Sequence, residues 1–240
     1  MGGEQVNKQN SFGRITSGIK SRASILSIIS FMCDKLPLWR DDPDRVNESS
    51  EHKLNSQLSK FLDCQAREYL PMFRFNHEEP QHGNRSIDIS VSPETKIVIE
   101  ARTYTIYDSV LVIEGKRLPA PSSEREKEYV SGPSPDRIAG GIQRFKLGLH
   151  GAKHELAAMV GYIQGQPDKD WRNTINGWIK ELAVKPIGDG CVWTVNEILN
   201  LFENNTKTGT TICGSKHQRT ANNGEIEIHH IWISMRKKSA

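Results

Sequence analysis

Cysteine is scarce and scattered: Cys33, Cys64, Cys191 and Cys213 form no Cys-x-x-Cys element in 240 residues. That excludes the usual structural zinc ribbon and leaves reduced thiols as the default. Long apolar runs are missing as well. The most apolar early stretch, ILSIISFMC at 25–33, is far short of the ~20 residues that cross a bilayer, and its serines recur at helical spacing. It reads as a packed helix, and no membrane partner is expected. The N-terminus lacks the layout of a secretory signal, so a cytoplasmic location is expected. An excess of one charge is absent too. Lys and Arg number 32 against 29 Asp and Glu, a net charge of +3, so bulk charge neither demands nor excludes nucleic acid. Neither an internal repeat nor a long low-complexity tract occurs. What remains suits a globular chain with a real core, at 36% hydrophobic and 25% charged residues.

Residues 1–15 are polar and are expected to be loose. A helix is predicted over 17–36, ending before Pro37, and residues 1–45 are taken as an N-terminal helical extension of a main domain at 46–240. From Ser49 or Ser50 a second helix carries Leu54, Leu58, Phe61 and Leu62 on one stripe, and Pro71 ends it. RSIDISV alternates, with Ile87, Ile89 and Val91 on one face and Ser86, Asp88 and Ser90 on the other. KIVIEARTYTIY (96–107) and SVLVIEGKRL (109–118) read as two further strands. After a loop, Ser134 and Pro135 resemble a helix start, and Ile138, Ile142, Phe145 and Leu149 continue at helical spacing to a stop at Gly151. A strand at 156–164 follows, then an amphipathic helix with Trp171, Ile175, Trp178, Ile179 and Leu182 inward. A short helix near 195–204 and a C-terminal strand, IEIHHIWISM, complete an α/β layer order.

The stretch VLVIEGKRLP sets four apolar residues before charge. Buried charge is costly unless paired, metal-bound or chemical in purpose. Glu114 and Lys116 share one face of a strand, with Gly115 between them pointing the other way. If the strand bearing Asp88 is a neighbour, two carboxylates and a lysine converge, and Glu51 approaches from the helix. Hard oxygen ligands of this kind suit Mg²⁺, which takes the rest of its shell from water and substrate phosphate. The chemistry that follows is phosphodiester hydrolysis.

An acidic residue in a first helix, an aspartate in IDI, IEGK on a strand and then a helix together resemble the PD-(D/E)xK nuclease superfamily. The resemblance covers about 51–164, with helices and a strand at 165–240 added. It implies a restriction-endonuclease-like αβββαβ core, a central mixed sheet flanked by helices with N- and C-terminal extensions. It further implies Asp88 and Glu114 as metal ligands, the Gly115 carbonyl as another, Lys116 as the water-orienting, base-like group and Glu51 as an accessory acid. Mg²⁺ would be the cofactor, with Mn²⁺ as substitute. REKEYV, GGIQRFKLGLHG and MVGYI also resemble a bacterial subgroup found near defence genes, which implies a DNA-cleaving effector of restriction or anti-phage defence. A homodimer or an activating partner protein fits that role. Ile87 stands where proline is frequent, and Glu100 with Arg102 in VIEAR offers a rival pair. Glu114 and Lys116 are preferred because the arginine proton is effectively permanent.

Each of these residues has a plainer reading. Glu114 and Lys116 alone would be a surface pair, Asp88 a solvated residue near a turn, and Glu51 a favourable acid in a first helical turn, with Glu48 as its substitute. In the resembled fold the helix after the metal strand flanks substrate, which makes Arg137, Gln143, Arg144 and Lys146 candidate phosphate contacts, with Gly140-Gly141 allowing close approach. The loop 119–135, with Arg125 and Lys127, is a candidate cover. His229 and His230 are adjacent on a strand and so point to opposite faces, which disfavours a shared zinc. The tryptophans are assigned to packing. Two rivals stand beside the DNA nuclease: a non-catalytic nucleic-acid-binding or assembly module, and an enzyme acting on RNA.

Overall fold

The computed structural model describes residues 21–236 apart from 82, 100, 166–169 and 221–223. The expected loose N-terminus, the helix start at 17 and Glu100 of the rival pair therefore lie outside the described residues.

Helix α1 (Ser21–Asp41) runs past Pro37 instead of stopping before it. Proline removes one helical hydrogen bond, but Leu36 and Trp39 on either side of it are buried, and their packing carries the helix on. Helix α2 (Glu51–Tyr69) follows its stripe, burying Leu54, Leu58, Leu62 and Ala66, and ends just before Pro71. The Ser50 side chain makes no cap bond. Glu48 serves instead, its carboxylate accepting the N–H groups of Ser49 at 2.8 Å and Ser50 at 3.0 Å.

The strands are β1 (Phe73–Pro80), β2 (Ser86–Pro93), β3 (Ile97–Ile99), β4 (Arg102–Tyr104), β5 (Leu111–Leu118), β6 (Leu156–Ile163), β7 (Asn200–Asn205), β8 (Thr210–Gln218) and β9 (Glu225–Ser234). Seven form one mixed sheet in the order β1-β2-β5-β6-β9-β8-β7. β1, β2 and β5 are antiparallel neighbours, β5, β6 and β9 run parallel, and β8 and β7 return antiparallel. Helix α3 (Gly141–Lys146) links β5 to β6, and α4 (Trp171–Val184) follows β6.

The sheet is buried on both faces. Helices α1 and α2 pack with Leu111, Ile113, Ala158, Val160 and Ile231. Helices α3 and α4 pack on the opposite face with Val112, Ala157, Met159 and Ile228. Because α1 shares a core with α2 and the sheet, the packing is continuous across residue 45.

Several expected elements differ. The segment 96–107 is not a sheet strand: Ala101, at φ 61°, turns it into the β3–β4 hairpin, a separate two-stranded sheet. The sheet takes β1 in its place, a segment (FRFNHEEP) too polar to declare itself by hydrophobicity. Counting members of the large sheet, the order along the chain from α2 to β6 is α2-β1-β2-β5-α3-β6. The helix expected from Ser134 begins only at Gly141, since Gly140 stays extended at φ −72°, ψ 138°. Residues 195–204 form a three-residue 3-10 turn and β7, not a helix, and β8 is a further strand.

Candidate active site

Strand β5 carries the central pair. Its ladder with β2 runs Val91–Leu111, Ser90–Val112 and Ile89–Ile113, so one further step brings Asp88 level with Glu114. There the backbone pairing stops, and the Asp88 carboxylate itself accepts the Gly115 N–H at 2.8 Å. The alternation of β2 breaks at this point. Ile87 joins the α3–α4 side of the core, whereas Ile89 and Val91 join the α1–α2 side, so the three do not share one face as expected. The strand must turn to bring a side chain into the place of a ladder bond.

Glu114 and Lys116 do share a face, with Lys116 Nζ 3.0 Å from Glu114 Oε1. The same ammonium donates to Glu51 Oε1 at 3.0 Å, and Glu51 Oε2 accepts the Arg117 N–H at 3.0 Å. Glu51 is the first residue of α2, so the helix start is fastened directly to β5. Glu114, only 1% exposed, also meets Arg144 Nη1 at 2.9 Å and His150 Nδ1 at 3.0 Å.

Gly115 points the other way and explains itself there. A Cβ at this position would lie 1.9 Å from Asn55 Oδ1 of α2. That oxygen accepts the Tyr162 hydroxyl at 2.7 Å. The glycine in IEGK is thus the seat of the helix that delivers Glu51.

The electrostatics follow from this crowding. Burial, reinforced by the neighbouring Glu114 carboxylate, pushes Asp88 up to about 8. Burial alone would raise Glu114 too, but Lys116, His150 and Arg144 outweigh it and hold Glu114 well below the usual carboxylate range. Burial would lower Lys116, yet Glu114, Glu51 and Asp88 drive it above the ordinary lysine value. Set between Glu114 and Glu51 at 3.0 Å each, the ammonium is placed as a charged hydrogen-bond donor.

Whether a hard divalent cation fits can be read from the donors. Asp88 and Glu114 are carboxylates brought together despite their repulsion, and Glu114 Oε2 is buried without a well-directed hydrogen bond. The N–H and C=O of one residue leave an extended strand on the same side, so the Gly115 carbonyl faces the Asp88 side with its N–H. Three oxygen donors at the edge of a broken ladder suit Mg²⁺ or Mn²⁺. The donor set fits.

The helix after β5 divides the expected phosphate contacts. Arg144 is at the site and partly exposed. Arg137 is exposed in the turn before α3, and Arg125 pairs with Glu128 at 2.7 Å. Two expectations are corrected. Gln143 is fully buried, accepting the N–H groups of Gly132 at 2.9 Å and Gly140 at 3.0 Å and donating to Asp189 at 2.6 Å. Lys146 is also fully buried, bonded to both oxygens of Glu197 at 2.7 and 2.8 Å. Neither reaches a nucleic acid, because helical spacing turns both toward the core. Gly140 and Gly141 likewise admit the chain at Ser131 and the Met159 side chain, not substrate.

His150 belongs to the site and was missed. It lies beyond α3, and only the Arg144–His150 spacing around a turn offered a signal. Among the remaining candidates, Lys127 pairs with Glu181 at 2.7 Å, away from Glu114. Arg102 is exposed on the separate hairpin, with its guanidinium over the Tyr104 ring. His229 and His230 diverge as alternation requires, one to Glu227 and the other to Tyr129 and Ser215. No known protein family, curated protein or solved structure matches the chain.

Proposed function

We propose that this chain is a divalent-metal-dependent nuclease with a restriction-endonuclease-like core, acting on DNA as an effector of bacterial restriction or anti-phage defence. The observation that carries the reading is the substitution of the Asp88 carboxylate for a ladder bond at Gly115, one register step from Glu114. The ladder ends there with Asp88 brought beside Glu114 and Lys116, two carboxylates and a lysine of the kind phosphodiester hydrolysis uses, which supports this reading.

In this reading Asp88, Glu114 and the Gly115 carbonyl hold Mg²⁺ or Mn²⁺. The bound ion supplies Lewis acidity toward the scissile phosphate and a water of lowered pKa. Lys116 orients that water by donating to it and offsets charge developing on phosphorus-bound oxygen. Glu51 keeps the ammonium in place and anchors the strand through Arg117. Arg144 contacts a phosphate flanking the scissile bond, leaving Glu114 to the metal. Arg125 and Arg137 add weaker backbone contacts.

The test is cleavage of plasmid, linear duplex, single-stranded DNA and RNA with Mg²⁺, Mn²⁺ or EDTA. Wild type is expected to cut duplex DNA only with metal, and Asp88→Asn and Lys116→Ala to lose roughly 100-fold or more while remaining folded. Cutting confined to RNA would reassign the substrate. Retained cutting in both variants would place the active site elsewhere, and no cutting by folded wild type would favour the binding module.

A further inference from the structure

The pairing of β1 with β2 contains a backbone exception beside the site. His77 faces Ile89 and Glu79 faces Ile87, which leaves Glu78 opposite Asp88 without a bridge. Glu78 has φ 56°, a left-handed conformation that a non-glycine residue adopts at a cost in a strand. That turn carries its carboxylate out to His52 on the first turn of α2, with Glu78 Oε1 3.0 Å from His52 Nδ1. The His77 ring stands edge-on to the His52 ring, their centroids 5.2 Å apart. Ligand atoms of all three residues lie within 4.8 Å of one another. His77 Nε2 is shut off from solvent and has no well-directed hydrogen bond, although the ring approaches the His52 backbone.

We propose that His52, His77 and Glu78 form a second metal site, built for a borderline divalent cation of the Zn²⁺ class. Two imidazoles and one carboxylate are the donors such ions prefer, whereas Mg²⁺ favours the all-oxygen set at Asp88 and Glu114. Ligand atoms around a tetrahedral Zn²⁺ stand about 3.4 Å apart, and rotation of the exposed His52 and Glu78 side chains closes the remaining distance. Three protein ligands leave a position for water. A plain His52–Glu78 ion pair would account for neither the buried His77 nitrogen nor the left-handed Glu78.

The place of the site gives it a consequence. Its ligands join the first turn of α2 to β1. Glu51, which holds Lys116, is the chain neighbour of His52, and Asp88 is the cross-strand neighbour of Glu78. An ion here fixes the helix start against the strand pair that carries the oxygen ligands. The inference stands on these three residues and does not depend on nuclease activity.

The experiment is metal binding by the full chain with Zn²⁺ and Co²⁺ as probes. Wild type is expected to take up one Zn²⁺ per chain, to give visible absorption with Co²⁺, and to gain Tm with Zn²⁺. His52→Ala and His77→Ala are each expected to weaken binding by about 100-fold or more, beyond the 10–100-fold typical of outer-shell changes. Asp88→Asn should keep the site. His52 is exposed, so its variant tests the idea even if His77→Ala folds poorly. Wild-type affinity no tighter than that of His52→Ala would overturn the proposal. So would uptake lost in Asp88→Asn, which would assign the ion to the carboxylate site.

Discussion

Glu51 and Lys116 are 65 residues apart in sequence and 3.0 Å apart in the fold, the first residue of a helix meeting the end of a strand. The carboxylate does two things at once, since its other oxygen accepts the Arg117 N–H. In the proposed mechanism Glu51 is therefore a positioning residue, acting through Lys116. Glu51→Gln keeps the shape but loses the charge that holds the ammonium. The expected result is a fall of about 10–100-fold in cleavage rate with little change in KM for DNA. Single-turnover kinetics with Asp88→Asn alongside checks it, and a Glu51→Gln loss as deep as that of Asp88→Asn would make Glu51 a ligand instead.

Gly115→Ala asks what the middle of IEGK is for. The added methyl would meet Asn55, which must turn away and leave the buried Tyr162 hydroxyl without its acceptor. The expected cost is roughly 1–3 kcal/mol, from overpacking and a lost buried hydrogen bond. Urea denaturation measures it. Adding Asn55→Ala removes the clash, so the double variant should be more stable than the sum of the singles predicts. Strict additivity would mean that Gly115 is not the seat of α2.

The central pair was legible because period-two alternation alone puts Glu114 and Lys116 on one face, and charge after four apolar residues has few inexpensive explanations. Helix α2 was equally plain from its leucine spacing. The β1 strand was not, because its sequence is polar along one edge and its burial is decided by β2, not by its own pattern. The break at Asp88 escaped for a related reason: alternation describes a strand that stays in its ladder, and this one leaves it. Gln143 and Lys146 looked like phosphate contacts because a polar residue facing a buried partner and one facing solvent read alike. Their partners, Asp189 and Glu197, are 46 and 51 residues away. His150 was hidden by lying just outside the helix.

Acid stability separates two opposed groups. Burial holds His217 and His230 below the ordinary histidine range and pushes His154 down to about 4. An unfolded histidine takes up its proton near pH 6.5, so this stability is complete above about 6.5 and drains away as pH falls below it. Asp88 works in reverse. Its folded value of about 8 lies far above the unfolded carboxylate range, so the folded state gains a proton, and stability, as pH falls through 8. In EDTA, Asp88→Asn should therefore lose more stability than wild type between pH 8 and 5. Urea midpoints across that range decide it, and parallel profiles for the two proteins would contradict the placement of Asp88 beside Glu114.

Arg144 and Lys146 sit two residues apart on α3 and should behave as opposites. Lys146 is sealed in with Glu197, at 0% and 3% side-chain exposure. Lys146→Met leaves a buried carboxylate facing too little charge, at an expected cost of about 3–5 kcal/mol, and Glu197→Gln in the same chain should restore much of it. Duplex affinity of the repaired protein should match that of wild type, because Lys146 touches no phosphate. Arg144 is partly exposed and pairs with Glu114, and in the proposed mechanism it would exchange that carboxylate for a phosphate. Arg144→Ala should cost less stability than Lys146→Met, because Lys116 and His150 still face Glu114, while lowering the slope of log affinity against log salt by about 1, the loss of one phosphate contact. Fluorescence anisotropy on a labelled duplex, in the Asp88→Asn background with Mg²⁺ present, measures both. An unchanged salt slope for Arg144→Ala, or a reduced one for the repaired Lys146 protein, would reverse the assignment of the two side chains.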